Sequence, residues 1–370
     1  MESNNSENEK SFTQKLSEIS KHGFELLKKR QYKEAEAEFK RIIEMDDENL
    51  YALVGLGDIY KSKRDFDKSV NFYFKALKID PSNKFALIGL ADSYRGGKNF
   101  KEAIMIWENY LAIEGNEFDI AILTRLGDTY KKMHRYEKAL TYYERALDVD
   151  NNNPYALSGL GLLHSEMHNI ESSLKYWHML SDLEPNNIKV LTNIGNCYRK
   201  LKDYENAIKH FGMAHEKENN NFYALYGLAD SYRGLTDYDK SLEYWLKILD
   251  FDPFNKKILT RVGDAFRKLG DVEKARIYYK RAIEKDFDYY ALLGLSILEK
   301  LEGNYSGAIE NLNQLMNISG INFQIGMLLS ECYMESKNKI MAVEILSEAL
   351  KKGINNDELK QRYRELKKTI

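Results

Sequence analysis

His164 and His168 stand four residues apart, the spacing at which two imidazoles share one helix face and can begin a metal site. The glutamate between them is not where a zinc protease keeps its general base, and no third ligand stands at metal-site spacing. His164 falls in a register otherwise held by tyrosine, so a packing role is expected, and His168 falls in a turn. Cys197 and Cys332 are too few for a disulfide framework, and neither has a CxxC neighbour. No GxSxG elbow and no phosphate-binding glycine loop occurs, and the glycines of GLGD and LGLL lie inside helical stretches. The expectation is a non-enzyme with no cofactor and no metal. What remains is the polar chemistry of recognition. Asp58, Asp92, Asp128, Asp230 and Asp264 are each followed three residues later by a cation: Lys61, Arg95, Lys131, Arg233 and Arg267. Such pairs can satisfy each other on one helix face for about 0.2–0.5 kcal/mol each.

The elements that position these residues are helical. Only four of 370 residues are proline, and period-two alternation with turn dipeptides is absent. Apolar residues at 43% suffice for a core. Lys plus Arg number 55 against 57 Asp plus Glu, so the basic excess of a dedicated nucleic-acid binder is missing. No apolar run approaches the ~18 residues of a membrane helix, and the polar MESNNSENEKSFTQ start has no signal-peptide core. A cytoplasmic protein is expected, binding neither nucleic acid nor membrane.

The chain repeats. YALVGLGDIY (Tyr51–Tyr60) returns as FALIGLADSY from Phe85, YALSGLGLLH from Tyr155 and YALYGLADSY from Tyr223, with AILTRLGDTY, KVLTNIGNCY and KILTRVGDAF between them. Aligned, these give ten repeats: 16–49, 50–83, 84–119, 120–153, 154–187, 188–221, 222–255, 256–288, 289–322 and 323–356. A polar tail (1–15) precedes them and a helix (357–370) follows. Each repeat holds two helical stripes; in the second, Leu53, Leu56, Ile59 and Tyr60 precede a break at Ser62–Asp65, then Phe66, Val70, Tyr73 and Leu77 follow.

These units resemble tetratricopeptide repeats. The second supplies Leu53, Leu56, Gly57, Tyr60, Ser69, Tyr73, Ala76 and Pro81 at family positions 4, 7, 8, 11, 20, 24, 27 and 32. The match weakens at the ends: Ser296 and Glu299 stand at positions 8 and 11 of the ninth repeat, Gly326 at position 4 of the tenth, and the turn near Asn338–Ile340 fits poorly. The resemblance implies an all-α, right-handed superhelical solenoid of about ten helix–turn–helix repeats. Leu359, Tyr363, Leu366 and Ile370 would form the inner stripe of a C-terminal capping helix.

A second period spans two repeats. Trp107, Trp177 and Trp245 occupy position 24 of the third, fifth and seventh repeats. Position 6 is Gly89, Gly159 and Gly227 there, but Arg125, Asn193 and Arg261 in the following repeats. Position 2 alternates likewise: Phe85, Tyr155 and Tyr223 against Ala121, Lys189 and Lys257. This is either duplication history or a functional pattern. In the resembled family, positions 2, 5, 6, 9, 12 and 13 face a concave groove that takes proteins or peptides. The candidate peptide-binding residues are therefore Phe85, Arg125, Tyr155, Lys189, Asn193, Asn196, Tyr223, Gly227, Lys257 and Arg261. The position-6 glycines are expected to leave room for a neighbouring tyrosine or a bound chain. Some family members grip a terminal carboxylate with five groove residues; the counterparts Thr192, Asn196, Gly227, Lys257 and Arg261 keep three of the five types. The expected function is a scaffold or adaptor that binds a protein or peptide in the groove. A self-associating protein, such as a homodimer, is the alternative, and an RNA-binding helical repeat ranks third.

Overall fold

Asparagine and aspartate set where the helices begin. Asn49, Asn83, Asn153, Asn221 and Asn255 each accept a hydrogen bond from the backbone N–H three residues on, satisfying a donor that the new helix leaves open. Asp65, Asp203, Asp237 and Asp271 do the same for the second helix of a hairpin.

The computed structural model describes residues 2–368, with side chains from residue 13. Every regular element among them is a helix. The first ten are α1 (Glu2–Lys28), α2 (Tyr32–Met45), α3 (Leu50–Ser62), α4 (Phe66–Ile79), α5 (Lys84–Gly96), α6 (Phe100–Leu111), α7 (Ile120–Lys132), α8 (Tyr136–Val149), α9 (Pro154–Glu166) and α10 (Ile170–Leu183). They form one compact body that ends at Leu183. A second begins at Glu184 and holds α11 (Ile188–Lys200), α12 (Tyr204–Lys217), α13 (Phe222–Gly234), α14 (Tyr238–Phe251), α15 (Lys256–Lys268), α16 (Val272–Ile283), α17 (Tyr289–Leu301), α18 (Tyr305–Ser319), α19 (Phe323–Glu335), α20 (Lys339–Lys351) and α21 (Asp357–Lys367). Odd-numbered α1 to α19 are the first helices of ten hairpins, and α21 packs on α20 through Leu346, Ala349, Leu359 and Leu366. Ile370 lies outside the described residues. Helix α1 starts at Glu2, inside the segment read as a polar tail, because no proline or glycine interrupts it before Gly23.

Within each hairpin the turn is built one way. Arg64 donates to the Lys61 carbonyl at 3.0 Å and Asp65 to the Tyr60 carbonyl at 2.9 Å, a Schellman closure with Arg64 left-handed at φ 60°. Repeat position 15 is left-handed throughout: Arg30, Arg64, Lys98, His134, His168, Lys202, Thr236 and Lys337 lie between 55° and 66°, and only Gly270 and Gly303 are glycines. The turn expected to fit poorly follows the same plan, with Lys337 left-handed and Asn338 capping α20.

Ring stacking ties the two helices of a hairpin together. Position 11 stacks on position 23 in Tyr60–Phe72, Tyr130–Tyr142 and Tyr232–Tyr244, with centroids 5.4, 5.5 and 5.7 Å apart. His164 takes this place in the fifth repeat, stacked on Tyr176 at 5.4 Å. The ninth hairpin has no such pair: Glu299 stands at position 11 opposite Asn311 and is ion-paired instead with Arg276 on α16 of the preceding hairpin.

Candidate peptide-binding face

The position-6 glycines answer to the core. A Cβ on Gly55 would meet the Phe39 ring at 2.5 Å, one on Gly89 the Tyr73 ring at 2.2 Å, one on Gly159 the Tyr143 ring at 2.3 Å, one on Gly227 the Phe211 ring at 2.3 Å and one on Gly294 the Tyr279 ring at 2.4 Å. Each ring is the position-24 aromatic of the preceding hairpin. Gly227 is buried, and the space it leaves is filled by Phe211. It is therefore a packing residue: the room expected for a neighbouring tyrosine or a bound chain is taken by the ring of the preceding hairpin.

This pairing sets the spacing of the first helices. They approach closely at α1–α3, α3–α5, α7–α9, α11–α13 and α15–α17, the junctions with glycine at position 6 of the second helix. At α5–α7, α13–α15 and α17–α19 they do not come as close. At the first two of these, position 6 is Arg125 or Arg261 and the preceding position 24 is Trp107 or Trp245, both fully buried; at the third they are Leu328 and Leu312. Narrow and wide junctions thus alternate from α3 to α9 and from α11 to α17, where the two-repeat period runs, and a depression lies at each of the two wide junctions that carry arginine.

The aspartates at position 9 are mostly spent inside the hairpins. Asp58, Asp128 and Asp264 accept the hydroxyls of Tyr73, Tyr143 and Tyr279 at 2.7, 2.6 and 2.8 Å. Burial and the adjoining aspartates push these tyrosines far above their ordinary range. Lys61 and Arg267 pair with Asp58 and Asp264 at 2.8 and 3.5 Å, so the i, i+3 pairs do satisfy one another there. Where position 24 is tryptophan, the aspartate faces arginines. Asp92 lies 3.7 Å from Arg95 and 3.4 Å from Arg125. Asp230 takes Arg233 at 2.7 Å and Arg199 from α11. Burial opposes ionisation of Asp230, but its hydrogen bonds from Arg233 and Arg199 outweigh it and hold the carboxyl below the ordinary value.

The remaining candidates divide between the two bodies. In the first, Phe85 and Tyr155 are 72% and 76% exposed, large rings with nothing over most of their surface. In the second, Tyr223 is 69% exposed and Lys189 is exposed beside it in register. Asn193 donates to the Lys189 carbonyl at 2.7 Å, and Asn196 accepts from Arg199 at 3.1 Å. Lys257 and Arg261, expected to share one carboxylate, turn to different neighbours. Lys257 sits 4.7 Å over the Tyr226 ring, whereas Arg261 lies 3.8 Å from Asp264. Thr192 is buried and bonded to the Lys189 carbonyl, so it is not a groove ligand.

Tyr226 is the residue that sequence reasoning passed over. It meets Trp245 edge to face at 4.9 Å and carries Lys257 and Arg199 over its ring, the latter at 5.9 Å. Its signal was its place: other position-5 residues, such as Val54, Ile88, Thr124, Ser158, Thr192 and Thr260, are aliphatic or small.

Sequence profiles of the tetratricopeptide repeat match residues 50–83, 120–153, 188–221 and 226–291. The chain belongs to the tetratricopeptide repeat family. Its fold is like that of a tetratricopeptide repeat protein from Parabacteroides merdae, at 18% identity over 67% of this chain and 97% of that one, with a TM-score of 0.52. It is also like PilW, a type IV pilus biogenesis factor, at 16% identity over 57% of this chain and 97% of that one, again with a TM-score of 0.52. No curated protein matches the sequence significantly. Repeats of this family support a protein-interaction scaffold. Among the described residues no helix is long and apolar enough to cross a membrane.

Proposed function

We propose that this tetratricopeptide repeat chain is a non-catalytic adaptor that binds an extended peptide along the face of its first helices. The observation that carries this reading is the exposed rings at position 2 within each body: Tyr51, Phe85 and Tyr155 in the first and Tyr223 and Tyr290 in the second are each 67% to 76% exposed. Packing does not ask for a large aromatic there, since Lys189 and Lys257 occupy the same position in other repeats. An aromatic with two rotatable bonds offers contact area at low entropic cost, which suits recognition. Lys257 on Tyr226 and the arginines about Asp230 supply the polar rim.

A selection from displayed random peptides with the full chain tests this. Enriched peptides should lose most of their affinity for Tyr223→Ser with Tyr290→Ser, and lose part of it for Lys257→Ala with Arg261→Ala. Circular dichroism should show both double variants folded, because none of the four side chains is buried. Failure to enrich any peptide, or equal affinity for all variants, would overturn the reading. Light scattering on the same samples tests self-association.

A further inference from the structure

The wide α13–α15 junction holds a recess behind the exposed rings, sharing Arg233 and Arg261 with the polar rim. Its pocket, of about 160 Å³, is lined by Arg233 at the end of α13, Tyr238 and Ser241 on α14, and Arg261, Arg267 and Lys268 on α15. Asp264 is the one carboxylate in the lining. Arg233 is neutralised by Asp230, so three cations against one anion leave a surplus of positive charge in a recess whose arginines are largely buried: the side chains of Arg261 and Arg267 are 34% and 20% exposed. Arg267 is held in place by the Tyr279 hydroxyl at 3.1 Å and Arg233 by Asp230, so the recess is preorganised.

A second observation points to a ligand. Ser241 is fully buried, lines the pocket, and its hydroxyl has no hydrogen-bond partner within the chain. The equivalent Ser69 and Ser173 donate to the Gly57 and Gly161 carbonyls at 2.9 and 2.7 Å. An unsatisfied buried hydroxyl is costly, and a serine kept at a position that accepts alanine elsewhere needs a use. The counterpart pocket at α5–α7 lacks this signature. There two arginines likewise meet one aspartate, Arg95 and Arg125 on Asp92, but Ala103 stands in place of Ser241, so no unpartnered hydroxyl lies beneath them.

We propose that the Ser241 pocket is an oxyanion site, taking a phosphate or carboxylate group. Arg261 and Arg267 would donate to its oxygens, Lys268 would contribute charge at the mouth, and the Ser241 hydroxyl would donate from the floor. Guanidinium donors suit such groups because they present paired N–H bonds in a fixed plane. The site does not depend on the peptide reading above, since inorganic phosphate alone can occupy it.

The test is calorimetric titration of the full chain with sodium phosphate, against sodium chloride at matched ionic strength. Phosphate should bind saturably and chloride should not. Arg261→Gln should weaken phosphate about 5-fold or more, the loss of one charge-assisted bond, while Lys360→Gln on α21 leaves it unchanged. Ser241→Ala should weaken phosphate and at the same time raise the melting temperature of the phosphate-free protein. A purely structural serine would lower that temperature and leave phosphate alone, which would overturn its assignment. Capped peptides differing only in serine, glutamate or phosphoserine then identify the source. Preference for glutamate or phosphoserine over serine places the oxyanion on a peptide; phosphate binding without such preference makes it a free ion. Equal responses to phosphate and chloride, or an unchanged affinity in Arg261→Gln, sink the proposal.

Discussion

At the scale of single residues, small side chains carry the architecture. Gly227→Ala forces its methyl into the Phe211 ring and should cost ~1–3 kcal/mol by overpacking. Gly212, inside α12, has open space within 4 Å of where a methyl would sit, so Gly212→Ala should instead stabilise by ~0.5–1 kcal/mol from helix propensity. Urea melts of both variants check the pair, and equal midpoints would mean that Phe211 yields freely. His164 makes a different case. Burial holds its imidazole below the ordinary value despite the pull of Glu144, and its Nδ1 is buried without a partner. The folded value lies below the unfolded one, so as pH falls through ~6.5 the unfolded chain takes up the proton first. The stability that neutral His164 contributes is therefore full above that pH and is lost below it, until the folded imidazole also titrates. His164→Tyr restores the ring pair of the other repeats, and the drop in melting temperature between pH 7.5 and 5.5 should shrink. A drop as steep as that of the parent protein would show that His164 carries none of it.

At the scale of elements, the hairpin turn is a repeated compromise. Eight of the ten left-handed positions carry a side chain that disfavours that conformation, and Thr236 at φ 61° is the worst placed because it is β-branched. Thr236→Gly should stabilise by ~1 kcal/mol, and the converse Gly270→Thr, at φ 85°, should destabilise by at least as much. Thermal melts would read both; a loss of stability in Thr236→Gly would mean that the threonine side chain makes a compensating contact. The same turn shows why local pattern misled near Asn338. Lys339 opens the second helix there where the other repeats have an apolar or aromatic residue, but the Schellman bonds and the Asn338 cap need only backbone and one side-chain oxygen. Helix α1 misled for the opposite reason, since polar composition looks like a tail when nothing in it forbids a helix.

At the scale of the whole molecule, each repeat leans on its neighbours, and the tenth is followed by the single helix α21 in place of a hairpin. Removing residues 357–370 should expose Leu346 and Ala349, which α21 covers, and light scattering should then report association. Leu329 should stay covered, because it belongs to the core with Ile325, Cys332 and Ile345. Hydrogen exchange should be faster in α19 and α20, covered on one side by the single helix α21, than in α13 and α15, which have a hairpin on both sides. Uniform protection across these helices would contradict a stability built from nearest-neighbour contacts.

The 34-residue recurrence, with Leu, Gly, Tyr and Ala at set places, was legible in the sequence because it repeats a local requirement: one amphipathic hairpin that must stack. So were the exposed rings of Phe85, Tyr155 and Tyr223, because nothing in the local pattern buries position 2. The alternation at positions 6 and 24 was also visible, but its meaning was not. Gly227 answers to Phe211, sixteen residues back on the second helix of the previous hairpin, and only the stacked structure brings that ring over it. The division of Lys257 to Tyr226 and Arg261 to Asp264, and the hydroxyl of Ser241 beneath the arginines, were decided there as well. Side-chain direction and junction width depend on how neighbouring helices pack, and spacing along one helix does not contain that information.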